Sequence, residues 1–158
     1  MNQVRGPADV ETALRAAGVA YQRFEVTAGA RADEAAHSLG VSLGAIVKTL
    51  VFLADGQAVV VLVAGDRRAN QQRLRQVLGA QQVKIAPPER VLAETGYPVG
   101  AVPPLGLPAA IPVWIDVALA AHPTVYASGG AVDVIVGLSF ADLLRASGGQ
   151  LVDVAEEG

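Results

Sequence analysis

Ile46-Val47-Lys48-Thr49-Leu50-Val51-Phe52-Leu53, then Ala54-Asp55-Gly56-Gln57, then the valine-rich residues 58–64, is the stretch from which the fold can be read. The first eight residues are β-branched, aliphatic or aromatic apart from one lysine and follow Gly44 closely, which predicts a strand. Asp-Gly at the centre of the link favours a type I′ turn, so the chain returns on itself as a hairpin. The returning run is almost all valine, the pattern of a central strand buried on both faces. Alternation places Ile46, Lys48, Leu50 and Phe52 on one face, and Val47, Thr49, Val51 and Leu53 on the other. Lys48 therefore stands in an apolar row. An ammonium stripped of water costs several kcal/mol unless a partner or a wet pocket compensates. Two readings stay open: the face lies near an edge and the amine reaches water, or it lines a cleft where Lys48 meets an anionic or carbonyl ligand.

Upstream of the hairpin, residues 7–17 read as an amphipathic helix with Val10, Ala13, Leu14 and Ala17 in its stripe and Gly18 as its stop. Residues 21–26 alternate like a strand, with Tyr21 as a half-buried packing residue. Residues 32–39 form a short helix whose stripe is Ala32, Ala35, Ala36 and Leu39, leaving His37 off it. Downstream, Asn70 caps a helix running to Leu78 with Leu74, Val77 and Leu78 inward. A short strand is expected over 83–86. Pro87-Pro88 then opens a helix with Val91 and Leu92 buried and Gly96 as its stop.

The segment Gly96-Tyr97-Pro98-Val99-Gly100-Ala101-Val102-Pro103-Pro104-Leu105-Gly106 cannot be regular structure, because its prolines lack donors and its glycines relax φ. Tyr97, Val99, Val102 and Leu105 nevertheless call for burial. An ordered apolar loop of this kind serves either as a binding wall or as a rigid connector. Strands follow at 112–117, carrying Trp114, at 124–127 and at 131–137, with Ser128-Gly129-Gly130 read as a sharp turn between the last two. Ser139 starts a helix through Ala146, and residues 151–154 add an edge strand. Interleaved helices and strands with hairpins predict an α/β protein, a mixed sheet with helices packed on it, and one domain over residues 1–158.

The 158 residues are 52% hydrophobic and 17% charged, a globular composition with length enough for a sizeable core. No apolar run reaches the ~18 residues of a membrane span, and residues 1–6 carry no apolar export signal. The expected location is the cytoplasm. The absence of cysteine removes disulfides, thiolate catalysis and cysteine metal sites. A net charge of −3 argues against wrapping long DNA or RNA, though not against gripping one RNA end. Arg67, Arg68, Arg73, Arg75 and Lys84 form the main basic cluster, either a solvated surface or a local phosphate-facing patch.

With two histidines, His37 and His122, and no flanking acidic ligands, no metal or other cofactor is expected. The phosphate-binding glycine motifs and Gly-x-Ser-x-Gly are missing. A triad of Ser128 and His122 has nothing specific behind it. Lys48, the Gly100–Gly106 loop and Ser128-Gly129-Gly130 remain.

In that order and spacing, Gly40-Val41 leading to Ile46-Val47-Lys48-Thr49-Leu50-Val51-Phe52, then Gly100-Ala101-Val102-Pro103-Pro104-Leu105-Gly106, then Val125-Tyr126-Ala127-Ser128-Gly129-Gly130 resemble the YbaK/prolyl-tRNA-synthetase-associated editing-domain family. The resemblance implies a free-standing aminoacyl-tRNA deacylase that hydrolyses the ester of mischarged tRNA, most often proline tRNA carrying cysteine, alanine or another small residue. It implies Lys48 as the essential lysine, and Gly100, Ala101, Val102, Pro103 and Pro104 as the loop whose amides hold the ester. Ser128 and Gly129 would form the opposite lip, and Tyr21 would stand at the pocket edge. The partners implied are the 3′ end of aminoacyl-tRNA and a synthetase, with neither membrane nor DNA. The chain departs from the family's pattern where cysteine editors carry an acidic residue: Ile135 holds the matching position and Asp133 is the nearest carboxylate. Alanine editors carry a histidine after the turn, and this chain does not. The amino acid removed is left open, as is a non-catalytic tRNA- or synthetase-binding module of the same fold.

Overall fold

The computed structural model describes residues 4–158; Met1 to Gln3, part of the segment read for an export signal, lie outside the described residues. Helix α1 (Pro7–Ala16) leads to β1 (Tyr21–Glu25) and α2 (Ala32–Leu39). The hairpin is β2 (Val47–Ala54) and β3 (Gln57–Ala64), followed by β4 (Arg67–Ala69) and α3 (Gln71–Leu78). Next come β5 (Val83–Ile85), α4 (Pro88–Thr95) and β6 (Val113–Asp116). Then β7 (Thr124–Ala131), β8 (Val134–Ser139), α5 (Phe140–Ser147), β9 (Gln150–Val152) and β10 (Ala155–Glu157) complete the order.

The hairpin is the centre of a five-stranded mixed sheet, β5-β2-β3-β6-β9. β2 runs antiparallel to β3 and β5, while β3–β6 and β6–β9 are parallel. The turn has positive φ at both central residues, Asp55 at 48° and Gly56 at 85°, as a type I′ turn requires. β3 is buried on both faces. Val60, Leu62 and Ala64 join the larger core with Val47, Val51 and Leu53, while Val59, Val61 and Val63 join a second core with Phe52 and Leu74. Each such buried side chain contributes about 1.5–3 kcal/mol relative to exposure, which explains why a valine run with no polar face is stable here.

A second sheet, β1-β8-β7, is antiparallel throughout and carries the other wall of the molecule. Ile46, just before β2, forms an isolated parallel bridge with Tyr126 of β7. A two-stranded ribbon, β4 with β10, holds Arg67 opposite Glu157 and Ala69 opposite Ala155.

Three expectations change. Ser128-Gly129-Gly130 is not a turn: β7 runs on through it to Ala131, and the register shifts between Ser128 and Ala131 as a bulge. Packing explains the bulge. A Cβ on Gly129 would lie 2.6 Å from Val134 Cγ1, and one on Gly130 would lie 3.0 Å from the Gly6 carbonyl. Glycine permits this close approach of strand and helix α1, and the chain reverses later, at Val132-Asp133. Second, Leu92 and Val77 are exposed rather than inward. Their short helices bury one narrow stripe, Val91 in α4 and Leu74 in α3, and these two residues fall outside it. Third, Val99 is 56% exposed, while Tyr97, Val102 and Leu105 of the same loop are buried as expected. The sequence reading also missed β4 and β10.

Candidate functional site

β5 covers only Phe52–Ala54 on the outer edge of β2, with the Ala86 N–H donating to the Val51 carbonyl. Among the described residues no strand pairs with that edge between Lys48 and Leu50. The uncovered edge opens on a cleft of about 300 Å³. Across it stand Tyr126, Ala127 and Ser128 of β7 and Ile135 of β8. Val99, Gly100 and Val102 form one rim, and Ala32 and Ala35 of α2 form another wall. The small side chains of α2 leave this volume beside Ile46. A smaller cavity of about 80 Å³ adjoins it, sharing Thr49, Leu50, Val99, Gly100 and Val102 and ending on Ile85 and Val91.

The loop at the rim is held rather than loose. Ala101 N–H donates to the Pro98 carbonyl at 3.0 Å and closes a turn with Gly100 third, at φ 87°. That is the position at which a type II turn needs a left-handed residue. Below the turn, Tyr97 is fully buried and Pro103 and Pro104 are buried. Arg5 brackets the loop: its N–H donates to the Gly96 carbonyl at 2.8 Å and its Nη1 to the Gly106 carbonyl at 2.9 Å. Ser128 joins the two rims directly, since its hydroxyl donates to the Ala101 carbonyl at 2.8 Å and accepts from Gly130 N–H at 3.2 Å. A serine whose proton is given to a carbonyl is a strut rather than an activated nucleophile. Ser128→Ala should cost about 0.5–1.5 kcal/mol, the net worth of one such bond. A thermal melt reads this as a drop of a few degrees, and an unchanged midpoint would show that the strut contributes nothing.

Lys48 lines the cleft and is half-buried. Its amine donates to the carbonyl of Arg67, at the start of β4, and its hydrogen-bond partner is thus neither the Gly100 loop nor Ser128. An ammonium has three N–H bonds, so two remain beyond that anchor. Burial pushes the amine below the ordinary lysine range, and the carboxylate of Asp66 opposes that shift. Asp66 shares a crowded corner with His122: a Cβ on Gly44 would lie 2.8 Å from His122 Nε2 and 3.1 Å from Asp66 Oδ2. Thr49 adds a hydroxyl oxygen that is buried without a hydrogen-bond partner, and Thr49 borders both cavities.

The structure therefore brings Lys48, Gly100, Val102 and Ser128 to one cleft. It places Ala101, Pro103, Pro104 and Gly129 behind the surface, as buried support. Ala101 cannot give its N–H to a ligand without releasing Pro98. Tyr21 stands apart from the cleft: it pairs with Leu138 in the second sheet and its hydroxyl donates to Glu11 at 2.8 Å. Ile135 lines the cleft, whereas Asp133 is not among its lining residues. In the basic cluster, Arg68 pairs with Glu156 at 3.0 Å and Arg73 with Asp153 at 3.3 Å, so both are engaged by the C-terminal segment. Thr49 and the anchoring carbonyl of Arg67 escaped the sequence reading. The former looked like an ordinary strand residue, and the latter is a backbone group with no residue-type signal.

The aminoacyl-tRNA editing domain matches residues 27–146. The chain is 46% identical over 87 residues to a proline–tRNA ligase of Nitratidesulfovibrio vulgaris, covering 55% of this chain and 15% of that enzyme. The match is to a small part of the ligase. A Bacillus subtilis protein, YwhH, described as uncharacterized, is 33% identical over 133 residues, covering 83% of this chain and 84% of that one. A crystal structure described as a proposed trans-editing enzyme for prolyl tRNA synthetase superposes with a TM-score of 0.87 at 30% identity, covering 98% of this chain and 99% of the other.

Proposed function

The chain belongs to the aminoacyl-tRNA editing-domain family, and from that premise we propose that it hydrolyses the ester of mischarged aminoacyl-tRNA, most readily proline tRNA carrying cysteine, alanine or another small residue. The observation that carries the reading is the meeting of Lys48, the left-handed turn at Gly100 and the Ser128 strut at one cleft. A volume of about 300 Å³ lies at the small end of ligand sites. It suits an aminoacyl group and part of a ribose, with the rest of the tRNA outside.

Attack on the ester carbonyl concentrates negative charge on one oxygen. A fixed cation and oriented N–H groups in a site of low dielectric stabilise that charge without reorganising. Lys48 would supply the cation, and the Gly100 N–H would supply the dipole. The attacking group would be water or the neighbouring ribose hydroxyl, so the protein needs no nucleophile of its own. Val26, Ala32, Ala35, Ile46 and Ile135 make an apolar wall for the acyl side chain. Such a wall excludes larger groups sterically, each methylene being worth about 1–3 kcal/mol. The net charge of −3 fits an editor that grips the 3′ end and relies on a synthetase or on the acceptor stem for the rest. The cytoplasm is the compartment where that substrate occurs.

A panel of cysteinyl-, alanyl-, seryl- and threonyl-tRNA, with prolyl-tRNA as control, tests the reading. The expected result is hydrolysis of the cysteinyl or alanyl ester far above its spontaneous rate, with prolyl-tRNA spared. If every ester decays at its spontaneous rate, the deacylase reading falls, and tRNA binding without turnover would establish the alternative of a non-catalytic module.

A further inference from the structure

Lys48 is held by a backbone carbonyl, and the question is what holds that carbonyl in place. β4 belongs to neither large sheet; its ladder partner is β10. Both strands converge on one buried carboxylate. Asp116, at the end of β6, is 1% exposed. Its Oδ1 accepts the N–H groups of Val154 and Ala155, each at 3.0 Å, and its Oδ2 accepts the N–H of Ala118 at 3.1 Å. The same Oδ2 lies 3.8 Å from Arg67 Nε, a buried nitrogen with no hydrogen-bond partner of its own. Arg67 Nη2 closes the circuit by donating to the Ala155 carbonyl at 3.0 Å.

The three backbone donors divide over both carboxylate oxygens, so an asparagine, with one acceptor oxygen, would turn its NH2 group towards at least one of them. Only a carboxylate also holds a guanidinium, and a buried charge costs several kcal/mol unless it is paired in this way. The charge on Asp116 thus has a use beyond stapling the C-terminal segment: it fixes the residue whose carbonyl receives Lys48. We propose that Asp116, which lines neither of the two cavities described above, is a positioning residue that sets the place of the Lys48 amine through Arg67. The link to turnover rests on the deacylase reading; the link to the amine does not.

The test pairs an NMR readout with kinetics. The Lys48 Cε resonance is assigned by its loss in Lys48→Ala and titrated in wild type, Asp116→Asn and Arg67→Met. Arg67→Met leaves Asp116 its three N–H donors and so keeps the test valid if Asp116→Asn fails to fold. The charged group that acts on the amine is Asp66, which both variants leave in place. Expected in each folded variant are a shifted Cε resonance and a titration midpoint nearer that of ordinary lysine. The kcat on the mischarged tRNA that wild type hydrolyses should fall roughly tenfold or more with KM nearly unchanged, since misplacing a catalytic group by about an ångström can cost about a hundredfold. Folded variants with the Lys48 resonance and its titration unmoved overturn the proposal, whatever the turnover. A moved resonance in a protein whose wild type hydrolyses no mischarged tRNA upholds the positioning and removes the deacylase reading instead.

Discussion

Lys48→Met is expected to abolish deacylation of mischarged tRNA while leaving the fold intact. The methionine keeps the apolar stem in its row between Ile46 and Leu50 and removes only the charge. A neutral oxyanion donor is worth about a hundred- to a thousandfold in rate, and a charged donor in a half-buried site is stronger still. Loss of the ammonium should therefore leave turnover at or near the spontaneous rate. The stability change follows from the direction in which burial moves the amine. Its pKa is lower in the folded chain than in the unfolded chain, so the charged form is the less favoured one in the fold. That penalty is fully present at pH values below the folded pKa and fades as pH rises through it towards the ordinary value of 10.5. Lys48→Met removes the penalty but leaves the Arg67 carbonyl without its partner, so the melting temperature at neutral pH should change little. Wild-type activity should decline on the alkaline side earlier than an ordinary lysine would dictate. Normal turnover in the Lys48→Met protein would make the lysine structural and remove the proposed mechanism.

Gly100→Val should lower kcat/KM by about two orders of magnitude or more, the scale of one lost oxyanion donor. A Cβ at Gly100 meets little: its nearest neighbour is Val132 Cγ1 at 3.7 Å. Space is therefore not the obstacle; the backbone is. At φ 87° a β-branched residue is strained by about 1–3 kcal/mol. The strain relaxes by rotating the turn, which swings the Gly100 N–H and the Ala101 carbonyl that Ser128 holds. Buried Tyr97, Pro103 and Pro104 keep the rest of the loop in place, so the damage should concentrate on catalysis. The melting temperature should fall by roughly 2–4 °C per kcal/mol of strain, as for a chain of this size. A Gly100→Val protein that is destabilised but fully active would show that the turn is a connector.

The hairpin was legible because three signals agree there: strand propensity, the Asp-Gly turn and the all-valine return. Helix ends were equally legible, since Gly40, Gly79, Gly96 and Gly148 each take the left-handed conformation that stops a helix. Ser128-Gly129-Gly130 misled because Gly-Gly is a turn signal in isolation. What decides its conformation is helix α1 pressing on the strand, and that is a tertiary fact. β4 and β10 escaped notice because three-residue strands have no period to detect. The site shows the same division. Lys48 stood out as a charge in an apolar row, and Gly100 as a glycine in a proline-rich loop. The anchor of Lys48 is a carbonyl and its support is Asp116, some seventy residues away in the chain. No residue pattern announces either.

The uncovered edge of β2 means that part of the cleft floor is main chain. Main-chain groups are the same whatever side chains evolve around them, and the ester and α-amino group are the parts that all aminoacyl-tRNAs share. The wall proposed to face the variable part of the substrate is made of aliphatic side chains: Ala32 and Ala35 on α2, Ile135 on β8 and Val26 beyond β1. Under the proposed function, recognition of the common part and selection of the variable part would be carried by different kinds of atom. A substitution of one methyl group at any of these wall positions would then be expected to redirect which amino acid is accepted without disturbing the groups proposed to act on the ester.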